Sequence, residues 1–257
     1  MVRRAKELRF SELGISDHLI VHKNMYQNPS WKYMEQNRAT YVYNQDFKSI
    51  LDKYQRHCDE IRQMAKQENI KLLVGFEVDY FPYNGWEEEF NWFIKQLDYD
   101  YLHTGNHFFC SEDYEHIINM TYFSRVCEDT GLYREYIKNH FNTLCLAVNS
   151  KHFKFLAHLD YLKRFCGESY SVDMYKDEIA AVLDSLKNTR TAMEISTKGL
   201  RKVNDFYPAE EILHAAAQRN IMTVISDDAH QTSELGKDFD KAEMILHKHG
   251  ITERLKF

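Results

Sequence analysis

Long apolar runs are absent from this 257-residue chain. A membrane span needs roughly 18 to 20 apolar residues in a row, so no transmembrane segment is expected. The N-terminus, MVRRAKELRF, also lacks the apolar core of a signal peptide, which points to a cytoplasmic protein. Cysteine is sparse: Cys58, Cys110, Cys127, Cys145 and Cys166 form no C-x-x-C pair, and an odd number of thiols suits a reducing compartment better than a disulfide framework. They read as core fillers. No dense Lys/Arg run occurs and the formal net charge is −6. A protein that neutralises many phosphates needs a basic face, so nucleic acid is not an expected partner. Proline (3) and glycine (9) are scarce, and neither a low-complexity stretch nor an interdomain linker interrupts the chain. Residues 1–257 therefore read as one globular domain.

Aromatic residues and histidine are plentiful. The 17 Tyr, 16 Phe and 3 Trp offer enough apolar surface to set against the entropy of ordering the chain, which excludes disorder. The 13 histidines gather at particular places, which the pattern of elements makes visible.

Segments of helical and extended periodicity alternate throughout. The spacing predicts a helix over 3–12 and a short strand at Gly14-Ile15-Ser16, then a loop from Leu19 to Gln45. Asp46 reads as the cap of a helix reaching Asn69. KLLVGFEV at 71–78 is a buried strand, followed by a helix over 86–97 and a strand at 100–107. An irregular insertion at 110–130 precedes a helix over 131–149. Strands at 153–158, 191–196 and 221–226 then alternate with helices at 172–188, from Pro208 to Arg219, and near 238–249. Six short apolar strands separated by helices imply a parallel sheet, either open and doubly wound or closed as a barrel.

A group able to bind a metal stands at each strand end: Asp17-His18, Glu77, His107, His158 with Asp160, Glu194, and Asp228 with His230. Ionisable residues are disfavoured beside buried strands unless paired or coordinating. A site fed by every strand fits a barrel, whose loops open on one face. Imidazole with carboxylate suits zinc, manganese or iron, whereas calcium and magnesium prefer oxygen alone. Two or three such ions would suit phosphoryl transfer.

These segments also resemble a known family. GISDH at 14–18, GFEVDYF at 75–81, HTGNHFF at 103–109, AHLDYLKRF at 157–165, EISTKGLRK at 194–202 and ISDDAH at 225–230 look like the ordered motifs of the polymerase and histidinol phosphatase (PHP) family, histidinol-phosphate phosphatase branch. The resemblance implies a distorted seven-stranded (β/α) TIM-like barrel with two or three divalent transition-metal ions. The implied reaction is hydrolysis of L-histidinol phosphate, a small phosphate ester, in histidine biosynthesis. His18, Glu77, His107, His158, Asp228 and His230 fall on metal-ligand positions, with Glu77 bridging two ions. Glu77 and Asp228 would hold a metal-bridging hydroxide as nucleophile. Arg164 falls on a phosphate-binding position, and Lys198 and Arg201 lie in the basic segment after the EIS strand.

One implied element is not in the sequence. The family opens with a strand carrying H-x-H, whereas this chain begins directly with Val2-Arg3-Arg4, and its six strands fall one short of seven. The expectation is a barrel without its first strand and the ligands on it, with weakened activity and an exposed edge at Gly14–Ser16. His22 is an unsupported substitute, and the H-x-H at His247-Lys248-His249 reads as solvated helix surface. Two alternatives remain open: a PHP-type phosphoesterase with another phosphate ester, or a non-catalytic metal-binding remnant.

Overall fold

The structure, a computed structural model, describes residues 1–22, 47–114, 117–123 and 133–257. The expected loop from residue 23 onward, the Asp46 cap, Cys127 and parts of the 110–130 insertion lie outside the described residues.

Strands β1 (Glu12–Leu19), β2 (Lys71–Val78), β3 (Tyr101–Thr104), β6 (Phe155–Leu156), β7 (Ala192–Ser196) and β8 (Thr223–Ser226) form one sheet in that spatial order, all parallel. The alternation of elements predicts a parallel sheet covered by helices, and the structure forms it as an α/β half-barrel with helices between the strands on its outer face. Among the described residues β1 and β8 stand at the two ends of the sheet, and no seventh strand joins it. No described helix is long and apolar enough to cross a membrane.

Packing shows why the covering helices form where they do. In α2 (Phe47–Glu68) the residues Phe47, Ile50, Tyr54, Cys58 and Ile61 recur at helical spacing and are all buried. Tyr54 meets Phe76 of β2 with ring centres 5.4 Å apart, while Phe47 meets Phe93 of α3 (Trp86–Ile94) at 5.2 Å. Each such ring, fully buried, contributes about 1.5–3 kcal/mol. A second apolar cluster joins α4 (Tyr133–Asn149), α5 (Lys176–Thr189), α7 (Glu210–Ala217) and α8 (Phe239–Lys248) to the other half of the sheet; a short α6 (Lys198–Lys202) follows β7. Inside the sheet's curve, Leu73, Tyr101, Phe155, Ala157 and Ala192 form a small apolar floor. The C-terminal segment closes it from below: Leu255 donates to the Thr223 carbonyl at 2.8 Å, and Phe257 rests on Tyr101 at 4.9 Å.

Element lengths differ from the periodicity in instructive ways. The first helix, α1 (Val2–Glu7), stops early because Arg9 turns left-handed (φ 59°), which sends Phe10 onto Phe239 instead of along a helix face. β1 accordingly begins at Glu12 and runs eight residues. The expected strand at 153–158 keeps only Phe155–Leu156 in the ladder, since His158 takes φ 28°. Within the expected insertion, β4 (Phe108–Cys110) and β5 (Ile117–Asn119) pair as an antiparallel hairpin that helical and apolar-run signals did not reveal. Of the thiols, Cys58, Cys110 and Cys166 are buried and Cys145 is partly so.

Candidate metal centre

Parallel pairing sets His18 on β1 directly beside Glu77 on β2. Both stand at the C-terminal ends of their strands, where the following loops open. The Glu77 carboxylate is buried and surrounded by three imidazoles. Its Oε2 lies 3.2 Å from His18 Nδ1, and its Oε1 lies 2.8 Å from His158 Nε2 and 3.7 Å from His107 Nε2. Donor atoms of His18, Glu77 and His107 all fall within 4.8 Å of one another, close enough to hold one ion. Burial alone pushes the Glu77 carboxyl upward in pKa, but His107, His18 and His158 outweigh it and hold the group well below the usual carboxylate range.

The second layer of contacts decides which nitrogen each ring offers. Asp79, fully buried, takes the His107 backbone N–H with one oxygen and stands 3.1 Å from His107 Nδ1 with the other. That contact turns Nε2 toward Glu77 and the cluster. Burial lowers the His107 pKa, yet Asp79 and Glu77 together raise it to about 9. Burial likewise lowers His158, and the hydrogen bond to Glu77 raises it above the ordinary value. In the ion-free chain, protons on these rings therefore supply the positive charge that the carboxylate demands.

Gly105 sits where a side chain could not. A Cβ there would lie 2.5 Å from His158 Cε1 and 2.7 Å from Glu77 Oε1. Beside it, Asn106 accepts the Tyr80 N–H at 2.9 Å and donates to the Tyr80 carbonyl at 3.0 Å, which locks the β2 and β3 loops together.

Asp228 and His230 follow β8 on the far side of a cavity of about 400 Å³ whose walls include His18, Glu77 and His158. Asp228 is engaged: its Oδ2 accepts from Lys198 Nζ at 2.6 Å, and its Oδ1 lies 3.3 Å from His230 Nδ1. The His230 side chain is more than half exposed. Deeper in the cavity His103 stacks flat on Phe155, with ring centres 4.4 Å apart, and burial drives its pKa down to about 4.

The basic residues lie in three different settings. Arg164 is exposed, and its guanidinium reaches the Tyr161 hydroxyl at 3.4 Å; Tyr161 packs on His158 with ring centres 4.8 Å apart. Lys198 is held by Asp228. Arg201 donates to the Asp227 carbonyl at 2.6 Å and to the Thr197 carbonyl at 3.4 Å, with its Nε 3.8 Å from the Glu234 carboxylate. Of His22 and His249, only the reading of His249 needs correction. His22 is buried against Phe81 and Tyr83 with its Nε2 at 2.8 Å from the Tyr114 carbonyl, away from the cluster. His249 is not solvated, since it turns inward to pair with Glu210 at 3.0 Å, whereas His247 is exposed. Asp160 is buried and accepts from the Ala209 N–H and Lys163, which makes it part of the loop packing. Asp79, Gly105 and Asn106 were missed, although each stands in a segment whose neighbouring residues drew attention.

Comparison with known proteins bears on this geometry. The PHP domain family model matches residues 1–198. A probable histidinol-phosphatase of Deinococcus radiodurans is 28% identical over 208 residues, covering 78% of this chain and 74% of that protein. The histidinol-phosphatase of Bacillus subtilis is 22% identical over 201 residues, with 72% and 74% covered. Among solved structures, histidinol phosphate phosphatase of Lactococcus lactis, complexed with zinc, L-histidinol and phosphate, superposes with a TM-score of 0.69 at 18% identity, over 100% of this chain and 88% of that one.

Proposed function

Since the chain belongs to the PHP family, we propose that it is a metal-dependent phosphomonoesterase and that its substrate is L-histidinol phosphate, split to L-histidinol and phosphate. The observation that carries this reading is the buried Glu77 carboxylate ringed by His18, His107 and His158 at the open end of the sheet. Imidazoles around one carboxylate form the donor set of zinc, manganese or iron sites. His18, Glu77 and His107 would hold a first ion, with His158, Asp228 and His230 completing the set on the cavity's other wall. Divalent ions there would supply Lewis acidity toward phosphoryl oxygens and make water a stronger acid.

The chain's own groups supply the rest. Arg164 can turn from the Tyr161 hydroxyl to hold two phosphate oxygens by charge-assisted bonds. Lys198, paired with Asp228 at the cavity wall, would supply positive charge toward the ester. Arg201 is fixed to backbone, so its part in the site is to hold the Asp227–Asp228 turn. The names of the two curated relatives support the choice of substrate.

Protein reconstituted with manganese or zinc and offered L-histidinol phosphate beside a panel of other phosphate monoesters tests the proposal. Release of phosphate from L-histidinol phosphate at the highest kcat/KM is the expected result. Preference for another ester would reassign the substrate, and no hydrolysis of any ester by metal-loaded protein would overturn the enzymatic reading.

A further inference from the structure

Glu194 stands on β7, between the strands that lead to His158 and Asp228. It is 3% exposed and both its oxygens are engaged. Oε2 accepts the backbone N–H of His158 at 2.7 Å, and Oε1 accepts the Ser226 hydroxyl at 2.6 Å. Ser226 Oγ in turn accepts the backbone N–H of Asp228 at 3.2 Å. One side chain thus reaches both neighbouring turns.

Those two turns share a further property. His158 has φ 28° and Asp228 has φ 44°, backbone conformations that residues with a Cβ rarely adopt and that persist only where surrounding contacts hold them. Each strained residue has its N–H tied, directly or through one hydroxyl, to the same buried carboxylate. A Glu at the end of β7 looks like one more ligand when only strand ends are compared. Its lone pairs, however, point at N–H and O–H donors, and it is not part of the donor group formed by His18, Glu77 and His107.

We propose that Glu194 is a positioning residue: a buried clamp that holds the left-handed turns at His158 and Asp228 in the conformation that presents their side chains to an ion. The idea rests on the metal-binding reading above. Loss of the clamp lets both turns relax toward ordinary backbone angles, which swings the imidazole and the carboxylate away from the cavity. The fold itself has other supports, since Ala157 donates to the Thr104 carbonyl and Thr197 to the Ser226 carbonyl without involving Glu194.

Three variants test it: Glu194→Ala, Glu194→Gln and Ser226→Ala. Two quantities are measured, the affinity for Mn²⁺ or Zn²⁺ by equilibrium dialysis and the hydrogen exchange of the His158 and Asp228 amides in metal-free protein. Glu194→Ala should weaken metal binding by about 10- to 100-fold, the usual effect of removing an outer partner of a ligand, and both amides should exchange faster. Glu194→Gln should stay near wild type, because its amide oxygen still accepts the His158 N–H while Ser226 rotates to accept from its NH₂. Ser226→Ala should free the Asp228 amide alone, and it carries the test should Glu194→Ala fail to fold. Wild-type metal affinity in Ser226→Ala together with unchanged Asp228 exchange would overturn the clamp, as would a Gln variant as defective as Ala, which would make Glu194 a ligand. A wild-type chain that takes up no ion would count against the proposed function, while the exchange pattern would still decide on the clamp.

Discussion

Glu77 carries a negative charge in a place where burial opposes it, and only the three imidazoles around it make that charge tolerable. An ion in their midst needs the same full charge. Glu77→Gln should therefore reduce metal affinity by more than about 100-fold, beyond the loss expected for an outer partner, and elemental analysis after dialysis against zinc or manganese will read it. Retention of stoichiometric metal by this variant would remove Glu77 from the site. Arg164 answers a different question, since its exposed guanidinium touches the Tyr161 hydroxyl but none of the ion-binding donors. Arg164→Ala should raise KM for the phosphate ester and leave metal content unchanged; bidentate, charge-assisted bonds of this kind contribute about 1.5–3 kcal/mol each when desolvated. Lysine at that position should restore only part of the loss, because it lacks the planar fork. Kinetics identical to wild type in Arg164→Ala would place the residue outside the pocket.

At the scale of the element, the loops matter more than the strands that precede them. Gly105 lies between β3 and the hairpin, and an added methyl there would press on His158 and Glu77 at less than 3.0 Å. Gly105→Ala is expected to lower metal affinity at least about tenfold while the circular dichroism of the helices stays the same; full affinity would show that the neighbouring rings can yield. The difference between strands and loops also explains what could be read from the sequence. β2 was legible because KLLVGFEV is apolar on both faces, and Glu77 was legible as an ionisable residue interrupting it. The group of His18, Glu77 and His107 follows once parallel strands are set side by side. Asp79 was not legible, because its importance lies in facing a backbone N–H and a ring 28 residues away. The β4–β5 hairpin escaped notice since three-residue strands carry too little period to register. His249 was misread because a single histidine in sequence does not reveal which way its ring is turned.

For the whole molecule, protonation of the ion-free cluster links stability to pH. His107 has a folded-state pKa of about 9, above its ordinary 6.5, and His158 is shifted in the same direction. The stabilising contribution of His107 is complete below about pH 6.5 and is lost as pH rises through about 9, and that of His158 has the same sign. Metal-free protein should accordingly show a melting temperature that falls between pH 7 and 9, whereas protein saturated with metal should not, since ions replace the protons. Calorimetric titration in buffers of different ionisation heat should count protons released on metal uptake. Parallel slopes for both forms would mean that the imidazoles do not share their protons with the ion site. The order of strands has a consequence of another kind, in time. From β1 to β8 the sheet runs in the direction of synthesis, so every strand leaving the ribosome meets an edge that has already been made. His18, Glu77 and His107 have all been translated before His158, Lys198 and Asp228 exist. If these residues hold an ion as proposed, His18, Glu77 and His107 would be present in a nascent chain before the lysine that neutralises Asp228 has been made, while the second half of the cavity is still inside the translating machine.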